Sequence, residues 1–247
     1  MLVKGKTDVG QERQKNEDSF IIIDHDKGIG LFAVADGMGG HRGGEVASGL
    51  AVEMLKDLYH KHKAEFLEFF PGRGKDLIKE MFLQVNEKIW HESLIRPELE
   101  GMGTTLTAAF LINEHLVIGH IGDSRAYKIR PEGIWQLTED HTYVQRLIKE
   151  KKILPGEEEN HPQRNLLTRA LGTNKTVEVD VYFYPLIKGD FILLCTDGLT
   201  RTISDDEEIK NLVLFANSPG EAVDELIKGA NKRGSPDNVT ALLVSMT

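Results

Sequence analysis

The chain has 247 residues, 40% of them hydrophobic and 28% charged, with a formal net charge of -9 and one cysteine. A chain of that length can bury roughly 70–75% of its extended surface in one domain, and an acidic balance without a basic stripe argues against nucleic acid as a partner. Residues 1–6 carry no apolar signal core, no apolar run approaches the ~20 residues of a membrane span, and a lone cysteine excludes an intramolecular disulfide, so a single domain over 1–247 is expected in the reducing cytoplasm, away from membranes.

Ser19 to Ile23 and Ile29 to Ala35 read as a hairpin connected through Asp24–Gly28. Ala47, Leu50, Ala51, Met54, Leu55 and Leu58 then recur on one helical face, and Leu77, Ile78, Met81, Phe82, Val85 and Ile89 form the face of a second helix. Thr104 to Ile112 and His115 to Ile121 are strands joined at Asn113-Glu114, and Arg125 to Arg130 and Ile134 to Leu137 are joined through Pro131-Glu132-Gly133. The segment from Ile153 to Arg169, part of a surface excursion over about 150–169, carries two prolines and three consecutive glutamates. It reads as a mobile loop, in its sharper reading a lid near the site. Val177 to Tyr184 alternates with period two, as a half-buried strand does. Ser204-x-x-Glu207 and Ser218-Pro219-Gly220-Glu221 read as capping boxes of two late helices, and Val239 to Ser245 is the last strand. This order is not regular βαβ alternation; largely antiparallel sheets with helices outside fit it better, an α+β fold.

Four aspartates stand where apolar β-runs stop or start: Asp36 after Ile29–Ala35, Asp123 after Leu116–Gly122, Asp197 after Phe191–Thr196, and Asp237 two residues before Val239. Carboxylates at strand ends point out of the apolar layer. If they converge they raise one another's pKa unless cations join them, which predicts a multinuclear site with hard oxygen ligands. No cysteine cluster and no zinc-spaced histidine pair accompanies them, so Mg²⁺ or Mn²⁺ suits better than Zn²⁺ or Cu²⁺. Two such ions can activate a bridging water and clamp an in-line displacement, the chemistry that slow phosphate-ester hydrolysis demands. Glycine after Asp36 lets the backbone approach closely, so the Gly37 carbonyl is a candidate ligand. Arg13, just before the Glu17-Asp18 pair, is a candidate for gripping two phosphate oxygens.

Arg13-x-x-Asn16-Glu17-Asp18, Asp36-Gly37-Met38-Gly39-Gly40-His41, Gly103-Thr104-Thr105, Gly122-Asp123-Ser124-Arg125, Leu137-Thr138-Glu139-Asp140-His141, Thr196-Asp197-Gly198 and Asp237-Asn238 together resemble, in order, the motifs of metal-dependent protein serine/threonine phosphatases of type 2C, bacterial branch. The resemblance spans essentially the whole chain. It implies a four-layer α-β-β-α sandwich of two antiparallel sheets flanked by helix pairs. It implies further that Asp36 bridges two core Mn²⁺ or Mg²⁺ ions, that the Gly37 carbonyl and Glu17 complete one, and that Asp197 and Asp237 hold the other. Asp18 would stand behind these ligands, and Asp123 with Asp197 would hold a third, weaker ion. Arg13 would grip the phosphate of a phosphoserine or phosphothreonine protein while a metal-bridging hydroxide attacks. A serine/threonine kinase is the implied opposing partner, and a monomer is expected. One departure stands out: many eukaryotic members have His directly after the Asp-Gly pair as proposed general acid, and here Met38, which cannot donate a proton, stands there. His41 is the candidate in its place, and His141 is expected to support the short helix that follows it.

Two rivals have discriminating features. Cys195 and Arg201 satisfy the Cys-x5-Arg spacing of cysteine-dependent phosphatases, but Cys195 lies in an apolar run, Asp197 would put negative charge into an anion cradle, and no capped helix is expected before Ser204. A non-catalytic phosphoprotein-binding module on the same scaffold would be expected to lack ligand aspartates, and none is missing.

Overall fold

The computed structural model describes residues 1–25, 29–39, 43–69, 73–112, 114–158 and 161–246. The centre of the Asp24–Gly28 connection, Asn113 and His41 lie outside the described residues. In chain order the elements are β1 (Leu2–Asp8), β2 (Asp18–His25), β3 (Ile29–Met38), α1 (Gly43–Phe69), α2 (Gly74–Ile95), a 3-10 turn (Pro97–Leu99), β4 (Gly103–Thr104), β5 (Leu106–Ile112), β6 (His115–Ile121), β7 (Arg125–Arg130), β8 (Gly133–Gln136), α3 (Tyr143–Lys149), β9 (Asp180–Pro185), β10 (Phe191–Cys195), α4 (Asp197–Thr200), α5 (Asp206–Leu214), α6 (Pro219–Lys232) and β11 (Val239–Ser245).

The strands form two antiparallel sheets, β1-β11-β10-β7-β8 and β2-β3-β5-β6-β9, with β4 added beside β3. Side chains alternate across each strand, and here both faces are covered. Phe32 and Val34 of β3, Ala109 and Leu111 of β5, and Leu242 and Val244 of β11 meet between the sheets. Leu31, Ala33 and Ala35, with Ala108 and Phe110, turn the other way and pack under α1 and α2 against Ala51, Leu55, Ile78, Met81 and Phe82. On the opposite outside, Leu193, Cys195, Ala241 and Leu243 pack against Ile209 and Val213 of α5 and Val223, Leu226 and Ile227 of α6. The result is the α-β-β-α sandwich. Covering both faces is why β3, β5 and β11 read as unbroken apolar runs rather than as alternating ones.

Several elements differ from the sequence reading. Leu2–Asp8, unassigned there, is a strand because β11 supplies its hydrogen-bonding partner. The strand expected over 104–112 is interrupted at Thr105, whose N–H donates to the Asp36 carbonyl at 2.9 Å. The period-two stretch becomes β9 only from Asp180, where pairing with β6 begins. A single helical turn, α4, follows Thr196 where no helix was expected. The cap of α5 is Asp205, not Ser204; its carboxylate accepts from the Glu207 N–H at 3.0 Å. The Ser218 cap of α6 stands, accepting from the Glu221 N–H at 3.2 Å with Pro219 first in the helix.

In register, Asp18 pairs with Asp36, Val34 with Thr107, and Leu106 with Ile121. In the other sheet Cys195 pairs with Ala241 and with Arg125. The strand ends that carry the acidic residues therefore gather at one end of the sandwich.

Candidate metal centre

At that end a cleft of about 400 Å³ is lined from both sheets by Glu17, Asp36, Gly37, Asp123, Asp197 and Asp237, with Arg13 and Arg201 among its walls. Asn165, Leu166 and Leu167, near the end of the 150–169 excursion, line it too, so that segment does reach the site. It is tied there by Tyr143 N–H to the Leu166 carbonyl at 2.8 Å and Thr168 N–H to the His141 carbonyl at 2.7 Å.

Asp36 and Glu17 are placed through their backbones, and Asp18 through its carboxylate. The Asp36 N–H donates to Thr105 Oγ1 and its carbonyl accepts from the Thr104 hydroxyl, both at 2.9 Å. Thr105 Oγ1 also lies 2.7 Å from Ser124 Oγ, joining the Asp36 turn to the Asp123 turn. The Glu17 N–H donates to Asn238 Oδ1 at 2.8 Å, and the Glu17 carbonyl accepts from the Gly37 N–H at 3.1 Å and the Ser48 hydroxyl of α1 at 2.6 Å. Asn238 Nδ2 donates to the carbonyls of Val9 and Lys15, at 2.9 and 2.8 Å, and so fixes the 9–17 loop to the start of β11. Asp18 Oδ2 accepts from the hydroxyls of Thr196 and Thr240 at 2.8 and 2.6 Å, linking one sheet to the other behind the cleft.

Two glycines are required by close approach. A Cβ at Gly37 would stand 2.1 Å from the Gly44 carbonyl oxygen and 2.6 Å from that of Glu17. A Cβ at Gly198 would stand 2.0 Å from the Asn238 carbonyl oxygen. Any side chain at either position would push the ligand-bearing turns apart.

Crowding leaves its mark on the carboxyls. Burial, and then the charges of Asp18, Asp197, Asp123 and Asp237, push Asp36 well above its ordinary value. Burial pushes Asp18 up to about 7; hydrogen bonds from Thr240 and Thr196 oppose this, and Asp197 and Asp237 add to it. Asp123 is likewise pushed up to about 7 by burial and Asp197, against the pull of Arg201. Asp197 and Glu17 rise too, mainly through burial. Acids that resist ionisation in a group are acids short of positive charge.

Two guanidiniums supply part of it. Arg13 Nη2 donates to Asp237 Oδ2 at 2.9 Å, with half of its side chain exposed at the mouth. Arg201 Nη2 lies 3.0 Å from Asp123 Oδ2 and 2.5 Å from Asp197 Oδ2. With these pairs in place, no three acidic, histidine or cysteine side chains among the described residues converge at chelating distance. Yet Asp18 Oδ1 and Asp197 Oδ1 are buried without any hydrogen-bond partner. A buried carboxylate oxygen without a donor is costly unless a cation completes it.

A sequence profile of the protein phosphatase 2C family matches residues 9–232. The chain belongs to this family. It is 37% identical to the serine/threonine phosphatase stp of Listeria welshimeri over 99% of this chain and 95% of that one. The crystal structure of the serine/threonine phosphatase Stp1 from Staphylococcus aureus superimposes with a TM-score of 0.91 at 36% identity, covering 99% of this chain and 94% of that one. The catalytic domain of the phosphatase PstP, solved in complex with two manganese ions, gives a TM-score of 0.83 at 36% identity, covering 98% and 96%.

For a phosphatase 2C chain, the residues present fit two ions: an all-oxygen donor set, buried carboxylate oxygens without partners, and a backbone at Gly37 that tolerates no side chain. Two residues bear on the site that the sequence reading had placed elsewhere. His141 Nδ1 accepts from the Gly122 N–H at 3.1 Å, so it props the turn carrying Asp123 rather than the helix after it. That leaves the Nε2 proton to donate to Asp180 Oδ2 at 3.0 Å. Arg201, considered only as part of the Cys-x5-Arg spacing, faces the aspartates; its signal was the four-residue step from Asp197 across one helical turn. Cys195 is fully buried, and burial pushes its thiol up to about 12, which leaves no thiolate for nucleophilic attack.

Proposed function

We propose that the chain hydrolyses phosphoserine and phosphothreonine in proteins at this cleft, holding two Mg²⁺ or Mn²⁺ ions as it does so. The observation that carries the reading is the gathering of five carboxylates from two sheets around one cleft, with buried oxygens left unpartnered and a guanidinium at the mouth. The family membership and the two manganese ions of the PstP domain support it.

Glu17, Asp36 and the Gly37 carbonyl would hold one ion, and Asp36, Asp197 and Asp237 the other, with Asp18 steadying the set from behind. When bound, the ions supply an activated water and positive charge for the phosphoryl oxygens. The threonine clamp on both sides of the Asp36 peptide keeps its carboxylate aimed into the cleft. Arg13, half exposed, can turn its fork from Asp237 to two phosphate oxygens and so orient phosphorus for in-line attack. Leu166 and Leu167 cover part of the cleft and limit water around the ester. His41 is our candidate for delivering the proton that the departing serine or threonine oxygen needs. The products are the free hydroxyl and inorganic phosphate, with no covalent enzyme intermediate.

The substrates we propose are phosphoproteins made by a serine/threonine kinase, met by a monomeric, single-domain chain in the cytoplasm, for which one free, buried cysteine fits a reducing compartment. Among the described residues no helix is long and apolar enough to cross a membrane. Phosphate release from a phosphothreonine peptide and from p-nitrophenyl phosphate, with EDTA and then with Mn²⁺ restored, tests the reading. Loss and recovery are expected; release that persists in EDTA overturns it. A phosphoprotein-binding module would retain the peptide and release nothing under either condition.

A further inference from the structure

The third-ion position implied by the family resemblance requires Asp123 and Asp197 to offer oxygens to one cation. In this chain a single nitrogen, Arg201 Nη2, already lies between those oxygens, 3.0 Å from Asp123 Oδ2 and 2.5 Å from Asp197 Oδ2. A small hard cation such as Mg²⁺ binds oxygen at about 2.0–2.1 Å. A cation between Asp123 and Asp197 at that distance would fall on the space the guanidinium occupies, and would add repulsion from its fixed charge.

The backbone builds Arg201 into this place. The Arg201 N–H donates to the Asp197 carbonyl at 2.8 Å, closing the single turn of α4. The four-residue step puts the two side chains on one face of that turn. Asp123 is buried, and two-thirds of the Arg201 side chain is covered, so the pairing is shielded from solvent rather than a loose surface contact. Among the described residues Arg201 is the cation that ion-pairs with Asp123, which otherwise sits among like charges such as Asp197 and Asp140. With Asp197 Oδ2 held by Arg201, Asp197 Oδ1 is the oxygen left over, buried and unpartnered on the same carboxylate.

We propose that Arg201 takes the place of the third cation, so that this chain binds two ions and not three, with the guanidinium acting as a positioning residue that fixes Asp123 and leaves Asp197 one oxygen for a core ion. The inference rests on the two-ion reading of the cleft, and one measurement separates their failures. Equilibrium dialysis against millimolar Mn²⁺, followed by elemental analysis, counts ions per chain. The native chain is expected to hold two, and Arg201→Ala three, the third more weakly. Arg201→Ala combined with Asp123→Asn is expected to return to two. Should Arg201→Ala fail to fold, Arg201→Gln removes the charge with a shorter side chain that stays polar, and the same rise to three is expected. A native chain holding three ions, or an anomalous manganese peak between Asp123 and Asp197 in native crystals, overturns the proposal. So does a count that stays at two in a folded Arg201→Ala or Arg201→Gln chain. A native chain holding none refutes the two-ion reading itself.

Discussion

Asp180 and Asp36 are both tied to the turn at Gly122–Ser124, the one through His141 and the other through Thr105, and meet opposite fates. Around Asp180 every charge finds an answer: His141 Nε2 and Arg169 Nη1 each stand 3.0 Å from it, and the Tyr182 hydroxyl stands 3.2 Å away. Burial alone would raise Asp180, but those partners hold it below its ordinary value. Around Asp36 burial and four neighbouring aspartates act in the same direction, and it stays far above. The first network is complete as folded and serves to hold a shape. The second is incomplete as folded, and incompleteness is what a cation site looks like before its cations are counted.

Substitutions should split along that line. Asp36→Asn is expected to lower kcat by about 10³-fold or more, some 4 kcal/mol of transition-state stabilisation, with loss of bound ions by elemental analysis. Near-native turnover would mean that the crowding around Asp36 has another purpose. The same change should leave the metal-free fold more stable, by about 1–2 kcal/mol in urea unfolding, because a repelled carboxyl is gone. Asp180→Asn should do the reverse, costing about 1–3 kcal/mol while both ions remain bound. Equal destabilisation by the two would erase the distinction.

Arg13→Ala should raise KM for a phosphopeptide about 10-fold, or about 1.4 kcal/mol, with kcat changing less. An unmoved KM removes Arg13 from phosphate binding. The next effect depends on pH. Asp18 and Asp123, at about 7 when folded, hold protons that the unfolded chain releases near 3.8. Their contribution to metal-free stability is therefore full below about pH 4 and lost as pH rises through about 7. Bound ions favour the ionised form of every carboxyl near them, whether or not it is a ligand, so the Tm gap between Mn²⁺-loaded and EDTA-treated protein should widen from about pH 5 to about pH 7.5. A constant gap would say that these groups do not face the ions. The smallest change is expected from Cys195→Ser, which should cost about 1–2 kcal/mol of stability and leave turnover intact.

Much of the site was legible because the β-runs are so apolar that a carboxylate ending one has nowhere to go but out. Asp36, Asp123, Asp197 and Asp237 could be placed by that logic alone, and α1 and α2 by their periodicity. What stayed hidden depended on partners distant in sequence. Leu2–Asp8 has no pattern of its own; β11 makes it a strand. Val177 reads like the continuation of β9, but without β6 beside it the chain there is not paired. His141 gave no sign that its ring would meet the Gly122 backbone. A four-residue helix is too short to show a period, so Arg201 came to notice only through a spacing that means something else.

One rung of the ladder carries a cost for the cell. Asp18 and Asp36 are direct partners where β2 meets β3, and like charges opposite one another weaken a sheet. A freshly synthesised copy in a manganese-starved cell would keep that end of the hairpin under repulsion, open more often and meet proteases sooner. Abundance of the protein, and not only its turnover number, should then follow the supply of metal.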